Sequence, residues 1–204
     1  RDSAWSSGNH AQAIASACYL TNKNATIVMP EDSPNAKLNG TKSWGADVVT
    51  FNRYSESREE IGTNLAKEIN AEIIPPFDHP DVINGQGTVG YEIINDCKKN
   101  NIIPDLVLCC CGGGGLIAGV STAIKSQYPN VPIYAVEPED YNDTYLSLRD
   151  NKITEVDVSK KSICDSLLAS KPGELTFSIN KENLSGSLLV LSLIHISEPT
   201  RPLY

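Results

Sequence analysis

The chain has 204 residues, 40% of them hydrophobic, with a formal net charge of -8 at pH 7 and a pI near 4.9. Its length supports one large domain or two small ones, and its acidic balance excludes nucleic acid as a partner and favours a small-molecule ligand. No apolar run approaches the roughly eighteen residues that cross a bilayer, and the N-terminus lacks a signal-peptide pattern, so we predict a cytoplasmic protein with no membrane partner.

Short β-branched segments alternate along the chain with longer helical segments. We predict strands over residues 25–29, 47–51, 72–74, 106–110 and 133–136. We predict helices over residues 10–20, 34–43, 55–69, 87–99 and 116–127, with Ser33 as the N-cap of the second and Pro34 at its first helical position. This alternation is typical of parallel sheets covered by helices on both faces, in which ligands bind at the carboxyl ends of strands.

A proline-rich segment divides the chain into two predicted domains. Pro75-Pro76, followed by Asp78-His79-Pro80, is the clearest boundary signal in the chain. We therefore place a small α/β domain over residues 5–77 and part of a larger domain over residues 78–190.

The cysteines indicate neither a disulfide framework nor a metal knuckle. No two of them are spaced as Cys-x-x-Cys, and three follow one another at the predicted strand 106–110. We interpret all six as buried, reduced thiols: Cys18, Cys97, Cys109, Cys110, Cys111 and Cys164.

Four consecutive glycines, Gly112 to Gly115, lie between the predicted strand 106–110 and the helical pattern that starts at Leu116. Without Cβ atoms, successive backbone N–H groups can converge on one anion, and the helix N-terminus adds unpaired donors and the positive end of its dipole. Ile117 stands where a dinucleotide fingerprint needs a glycine, and the Gly-Lys-Ser/Thr of a nucleotide P-loop is absent. The tract therefore predicts a phosphate site of another kind. The alternative is a turn that only lets strand and helix pack closely.

A second polar segment, Ser6-Ser7-Gly8-Asn9-His10, precedes an alanine-rich helix. Backbone N–H groups at a helix start suit a substrate carboxylate, and Ser and Asn side chains can hold a hydroxyl or phenolate oxygen. The alternative interpretation is that Ser7 and Asn9 are plain N-caps.

Together these segments resemble the fold type II pyridoxal-phosphate enzymes, in particular the serine and threonine dehydratases and serine racemase. The resemblance rests on the order and spacing of three motifs: residues 6–13 (SSGNHAQA), 85–88 (GQGT) and 111–116 (CGGGGL). It runs from about Ala4 to Val190, and residues 75–82 (PPFDHPDV) are similar to the branch that contains threo-3-hydroxyaspartate dehydratase. It implies an α/β fold of two parallel-sheet domains like that of the tryptophan synthase β subunit.

The resemblance also implies a bound pyridoxal 5'-phosphate, with one motif at each end of the cofactor. The cofactor phosphate would be bound by the glycine tract and the residue after it: Gly112, Gly113, Gly114, Gly115 and Leu116. The 3-oxygen of the pyridine ring would accept a hydrogen bond from Asn9. The carboxylate of an amino-acid substrate would be bound by the first loop: Ser6, Ser7, Gly8, Asn9 and His10. Ser7 matches the family residue that acts as a catalytic proton donor in racemisation.

An acidic segment follows the predicted strand 133–136. In the racemase-like branch the matching positions hold a divalent cation through two carboxylates and a backbone carbonyl, which here are Glu137, Asp143 and Tyr141. Oxygen ligands of this kind suit Mg²⁺ or Ca²⁺. The alternative is an acidic turn that caps the next helix.

Two departures from the family lead us to expect a chain that is incomplete at both ends and inactive by itself. The Schiff-base lysine of the family stands in a Ser-x-Lys-x-Arg-Gly context before the Ser-Ser-Gly-Asn loop, and no lysine of this chain has that context. Residues 191–204 do not continue the family pattern. They look like a translated adapter sequence, so we give His195 no role.

For the parent protein, the resemblance implies β-elimination from a hydroxy amino acid to give a 2-oxo acid and ammonia, and a homodimeric assembly. Serine racemisation and action on threo-3-hydroxyaspartate are the alternatives within the family. A non-catalytic homologue that binds a phosphorylated ligand is the alternative outside enzyme function.

Overall fold

A computed structural model describes residues 1–6, 8–160 and 162–191. The chain divides into two compact units, of which the first spans Arg1–Pro76 and the second begins at Phe77. Each unit is built on a parallel sheet, so the predicted α/β class is confirmed.

The first unit alternates strands and helices around a four-stranded sheet. Its elements are β1 Asp2–Trp5, α1 Asn9–Leu20, β2 Ala25–Pro30, α2 Asn35–Ser43, β3 Asp47–Phe51, α3 Arg58–Glu68 and β4 Glu72–Ile73. The strand order is β3-β2-β1-β4, with every pairing parallel. Ala4 and Ile27 are fully buried and lie in the core with Ala11 and Ala15 of α1. The loop after β1 therefore starts from the interior of the sheet.

The second unit contains a three-stranded parallel sheet in the order β5-β6-β7. Its elements are α4 Pro80–Asn100, β5 Val107–Cys110, α5 Gly115–Gln127, β6 Ile133–Pro138, α6 Asp143–Asp150, α7 Glu174–Asn183 and β7 Gly186–Val190. Cys110 pairs with Val136, so the carboxyl ends of β5 and β6 lie at the same edge. Leu108 on β5 and Leu188 on β7 are 55% and 43% exposed.

Glycines allow α4 and α5 to pack backbone against backbone. A Cβ at Gly90 would lie 2.8 Å from the Val120 carbonyl oxygen, and one at Gly119 would lie 2.8 Å from the carbonyl carbon of Gln86. The Gly-Gln-Gly-Thr motif at residues 85–88 lies inside α4, and a Cβ at Gly119 would lie 2.5 Å from the backbone nitrogen of Gly87. Its position indicates a packing role.

The predicted strands and helices are all present, but the N-cap prediction for α2 is wrong. Pro34 has a ψ of 133°, which is extended, so the helix begins one residue later at Asn35. The helix α4 begins at Pro80 and not at residue 87 as predicted. It begins earlier because the His79 ring caps it by accepting a hydrogen bond from the Asp81 N–H at 3.2 Å. Three further elements were not anticipated from the sequence: β1, α7 and β7. The helix α6 was expected only under the alternative interpretation of the acidic segment.

All six cysteines are free, but the prediction that all are buried is wrong. Cys18 and Cys111 are buried, whereas Cys110 is exposed because alternate residues of β5 face opposite sides of the sheet. Among the helices of the described residues, none combines the length and the apolar character that a membrane span requires.

Candidate cofactor and substrate site

The glycine tract forms the connection between β5 and α5, at the carboxyl end of the strand. Gly114 is the N-cap of α5 and has a φ of +93°, a conformation that side chains disfavour. A Cβ at Gly113 would overlap the ring of Phe77, and one at Gly115 would lie 2.8 Å from the Cβ of Phe77. Phe77 therefore occupies the space that side chains in the tract would need.

The carbonyl groups of the tract are held by the protein. Gly113 O accepts hydrogen bonds from the Thr176 hydroxyl at 2.8 Å and from the Gly173 N–H at 3.3 Å. Gly114 O accepts from the Ala118 N–H at 3.0 Å and from the Asn180 amide at 3.2 Å. The first N–H groups of α5 have no carbonyl one turn earlier in the helix, and its first turn carries no acidic side chain. The tract can therefore donate several N–H groups to one anion.

The loop after β1 begins a second helix N-terminus without acidic residues. Gly8 is the N-cap of α1, and its N–H donates to the Ser6 hydroxyl at 3.0 Å. Asn9 is the first helical residue and is exposed, and the helix has no side-chain cap. Asn9 therefore does not act as an N-cap, and its amide is available to a ligand. Ser7 lies outside the described residues.

Two further side chains contact this loop. The His10 ring is half-buried, and its Nε2 donates to the Ile74 carbonyl at 3.1 Å, which ties the start of α1 to the end of β4. Burial lowers the pKa of His10, and the bond to Ile74 offsets part of that effect. The aliphatic stem of Lys37 lies over Gly8, with Cε 3.0 Å from the position of a Cβ there. A cationic residue thus lies beside the predicted carboxylate-binding loop.

The acidic segment places two buried carboxylates at the edge that also carries the glycine tract. Glu137 and Asp143 are both fully buried. Glu137 accepts the N–H groups of Thr144 and Tyr145, each at 2.8 Å, and the hydroxyl of Ser187 at 2.6 Å. Glu137 therefore caps α6, as the alternative interpretation of this segment expects.

The Asp143 carboxylate, unlike that of Glu137, is not satisfied by hydrogen bonds within the part of the chain that the structure describes. Both of its carboxylate oxygens are buried without a hydrogen-bond partner among the described residues. Burial, followed by the charge of Glu137, raises the pKa of Asp143 to about 8, and burial also raises the pKa of Glu137. Asp143 therefore holds a proton at neutral pH or faces a cation.

Tyr141 stands between Glu137 and Asp143 in the sequence, and its side chain is held by a hydrogen bond. It is 1% exposed, and its hydroxyl donates to the Val158 carbonyl at 3.1 Å. Within the described residues, no cluster of three His, Cys, Asp or Glu side chains forms a metal site. A cation here would rely on two carboxylates, a backbone carbonyl and water, and the unpartnered oxygens of Asp143 fit such a ligand set.

Sequence reasoning missed the residues that support the glycine tract. Phe77, Thr176 and Asn180 contact the tract from distant positions, and Asp78 holds the helix that carries the last two. The proline-rich motif at residues 75–82 contains Phe77 and Asp78, but nothing in it indicates these contacts. The predictions for residues 192–204, including His195, lie outside the described residues.

The two parallel-sheet units define an α/β protein, and in each unit a helix that follows a strand begins without acidic residues in its first turn, as suits a bound anion. Residues 3–193 match the family model for pyridoxal-phosphate dependent enzymes. The chain therefore belongs to this family.

Individual relatives agree with the family match. The chain is 44% identical to L-threo-3-hydroxyaspartate ammonia-lyase from Saccharomyces cerevisiae over 187 residues, covering 92% of this chain and 56% of that protein. It is 39% identical to serine racemase from Schizosaccharomyces pombe, covering 91% of this chain and 56% of the racemase. The structure superposes on a threonine deaminase from T.th. with a TM-score of 0.89 and 37% identity, covering 95% of this chain and 62% of the deaminase. The chain thus spans little more than half the length of these relatives.

Proposed function

We propose that the whole protein is a pyridoxal-phosphate dependent ammonia-lyase that converts a hydroxy amino acid to a 2-oxo acid and ammonia. The β-hydroxyl leaves as one water molecule, and a second water molecule is consumed when the amino group is released as ammonia, so the net reaction neither produces nor consumes water. The main support is the 44% identity to an L-threo-3-hydroxyaspartate ammonia-lyase, together with the glycine tract at the start of α5. Among hydroxy amino acids, that relative favours 3-hydroxyaspartate, and serine and threonine remain candidates.

The residues of the tract fit the cofactor phosphate. Protein atoms fill the space that side chains would need at these glycines, so the tract can present backbone N–H groups, and it starts a helix whose first turn lacks acidic groups. Gly112, Gly113, Gly114, Gly115 and Leu116 would hold the phosphate through backbone N–H groups. When bound, pyridoxal phosphate supplies an electron sink for negative charge at the substrate Cα.

The first loop would bind and orient the substrate. Backbone N–H groups at the start of α1 would hold the carboxylate, and Asn9 would donate to the ring oxygen of the cofactor. Lys37 adds positive charge beside Gly8, and His10 fixes the base of the loop through Ile74. An oriented substrate exposes one Cα bond to the cofactor ring, which favours cleavage of that bond.

A divalent cation bound by Glu137, Asp143 and the Tyr141 carbonyl is also part of this proposal. Mg²⁺ or Ca²⁺ would balance two buried negative charges and would accept the unpartnered Asp143 oxygens as ligands. A cytoplasmic location and a homodimer complete the proposal. The free state of all six cysteines supports a reducing compartment.

The decisive experiment uses the full-length protein with added pyridoxal phosphate. L-serine, L-threonine and L-threo-3-hydroxyaspartate are supplied separately, and 2-oxo acid and ammonia are both quantified. We expect the two products in equal amounts from at least one substrate. Cofactor binding without any turnover would overturn the proposal in favour of a non-catalytic homologue.

Serine racemase is the second candidate function. It is supported by the 39% identity to the Schizosaccharomyces pombe racemase and by a serine at position 7, where the resemblance assigns the racemase proton donor. Chiral analysis of serine after incubation separates the two activities. D-serine without pyruvate would replace the first proposal, and a Ser7→Ala variant should then lose D-serine formation.

A further inference from the structure

Two buried polar residues of α7 contact the glycine tract. Thr176 and Asn180 lie four positions apart on one face of the helix, and both are almost fully excluded from solvent. The Thr176 hydroxyl donates to the Gly113 carbonyl, and the Asn180 amide donates to the Gly114 carbonyl. Two consecutive carbonyls of the tract are therefore directed toward α7.

The direction of these carbonyls determines the direction of the N–H groups that follow them. In a trans peptide the C=O of one residue and the N–H of the next point opposite ways, and no cis peptide bond occurs in the described residues. Because the carbonyls of Gly113 and Gly114 face α7, the N–H groups of Gly114 and Gly115 point away from it. These N–H groups lie at the start of α5, where an anion would bind.

The helix that carries the two side chains is itself fixed. The Asp78 carboxylate accepts the first N–H groups of α7, from Glu174 and Leu175 at 3.0 Å and from Thr176 at 3.1 Å. Three charge-assisted bonds resist movement of α7 away from the tract. A Cβ at Gly114 would lie 2.8 Å from the Asn180 amide nitrogen, so the close approach also requires glycine.

Asn180 makes this contact at a cost. Its amide oxygen is buried and has no hydrogen-bond partner among the described residues. An unpaired buried acceptor destabilises a fold, so an apolar residue of similar size would serve stability as well or better. What Asn180 provides, and an apolar residue would not, is a hydrogen bond donated to the Gly114 carbonyl.

We propose that Thr176 and Asn180 are positioning residues of the cofactor phosphate site. They do not touch the phosphate; they orient the Gly113 and Gly114 peptides so that the next N–H groups face it. The inference rests on the proposed function, because it presumes that the tract binds pyridoxal phosphate.

The test compares two ligands that differ only in the phosphate. Affinities for pyridoxal phosphate and for pyridoxal are measured on the full-length protein and on Thr176→Val and Asn180→Leu. We expect each variant to bind pyridoxal phosphate about tenfold more weakly, from the loss of one orienting hydrogen bond, and to bind pyridoxal unchanged. Thr176→Ser, which keeps the hydroxyl, should restore the affinity, and the ³¹P resonance of the bound phosphate should shift in the two weakened variants only.

Asn183→Leu is the matched control. Its amide also bridges α7 to α5, through the Ser121 hydroxyl at 3.2 Å, but it does not contact the tract. It should leave both affinities unchanged. If Thr176→Val does not fold, Asn180→Leu still tests the proposal, because the Gly114 carbonyl keeps its bond from Ala118.

Three results would overturn the inference: unchanged affinity for pyridoxal phosphate in both variants, equal losses for the two ligands, or an equal loss in Asn183→Leu. Failure of the unmodified protein to bind pyridoxal phosphate is a separate result. It would overturn the proposed function itself.

Discussion

The thiol of Cys111 lies 3.3 Å from the hydroxyl of Thr144, and both residues are buried. Cys111 directly precedes the glycine tract, and its thiol also donates to the Gly112 carbonyl at 3.4 Å. The Thr144 N–H donates to Glu137. A continuous set of contacts therefore joins the predicted phosphate site to the acidic pair.

This connection predicts that a divalent cation at the acidic pair and pyridoxal phosphate at the tract affect each other's affinity. We expect saturating Mg²⁺ to change the cofactor affinity of the full-length protein about fivefold, and the cofactor to change the Mg²⁺ affinity by the same factor. Thr144→Val removes the hydroxyl but keeps the backbone N–H that donates to Glu137. The factor by which Mg²⁺ changes the cofactor affinity should therefore fall toward one. Titration calorimetry measures both affinities. Thr122→Val, which lies on α5 away from this connection, should keep the full factor, and an unchanged factor in Thr144→Val would contradict the prediction.

A methyl group at Gly113 should disrupt the tract. Gly113→Ala places a Cβ against the Phe77 ring, so we expect a loss of about 1–3 kcal/mol in the free energy of unfolding and a loss of cofactor binding. Denaturant titration measures the first and fluorescence titration the second. Phe77→Ala should make the same glycine change less harmful. Strict additivity of the two substitutions in a double-mutant cycle would show that the ring is not the obstacle.

Gly85→Ala is the control for this experiment. Gly85 lies inside α4, and a Cβ added there would have no neighbouring atom within 4 Å. Alanine should therefore stabilise the helix by up to about 1 kcal/mol and leave cofactor binding unchanged.

The two buried carboxylates predict an unusual response to Asp143→Asn. Without a cation, the raised pKa means that Asp143 must take up a proton when the chain folds at neutral pH. Asparagine removes this cost, so we expect the melting temperature to rise by about 2–4 °C, equivalent to about 1 kcal/mol. Adding Mg²⁺ should stabilise the unmodified protein and leave the variant unaffected. Differential scanning calorimetry with and without Mg²⁺ measures both effects.

Asp140→Asn provides the comparison for Asp143→Asn. Asp140 lies in the same turn but pairs with Lys160 at the surface. Its variant should keep the Mg²⁺ response. A response retained by Asp143→Asn as well would exclude Asp143 as a ligand.

His10 predicts a loss of stability in mild acid. Burial lowers the pKa of His10 in the folded protein, so the unfolded chain binds a proton at a higher pH than the folded chain does. Above the unfolded pKa of about 6.5, His10 is neutral in both states and the free energy of unfolding does not depend on it. As the pH falls below that value, the free energy of unfolding decreases by at most about 1.4 kcal/mol per pH unit. His10→Gln keeps a donor for the Ile74 carbonyl and does not titrate. Its unfolding free energy should fall less between pH 7 and pH 5, and parallel curves would assign the acid sensitivity to other groups.

Local patterns predicted much of the fold. The β-branched segments that became β2, β3, β5 and β6 are short and apolar, and the helices between them have clear boundaries. β1 was missed because so few residues precede the polar loop, with a charged residue among them. α7 was missed because its polar residues are buried by contacts with a distant segment, which periodicity does not indicate.

In the candidate site too, features that depend on local sequence could be predicted, and features that depend on tertiary contacts could not. The glycine tract could be recognised because backbone freedom depends on local residue type. Thr176 and Asn180 lie 63 and 66 positions from the carbonyls that they contact, so only the tertiary structure joins them. The directions of the Gly114 and Gly115 N–H groups depend on α7 as much as on the glycines themselves.

The apolar side chains on the outer strands of the second sheet affect how the chain can be handled. Leu108 and Leu188 stand in solvent on strands whose outer edges have no neighbour within the described residues. Unpaired strand edges next to exposed leucines favour sheet-to-sheet association between molecules. Concentrated preparations of the chain should therefore scatter light increasingly with time, and lysine at position 108 should keep them clear.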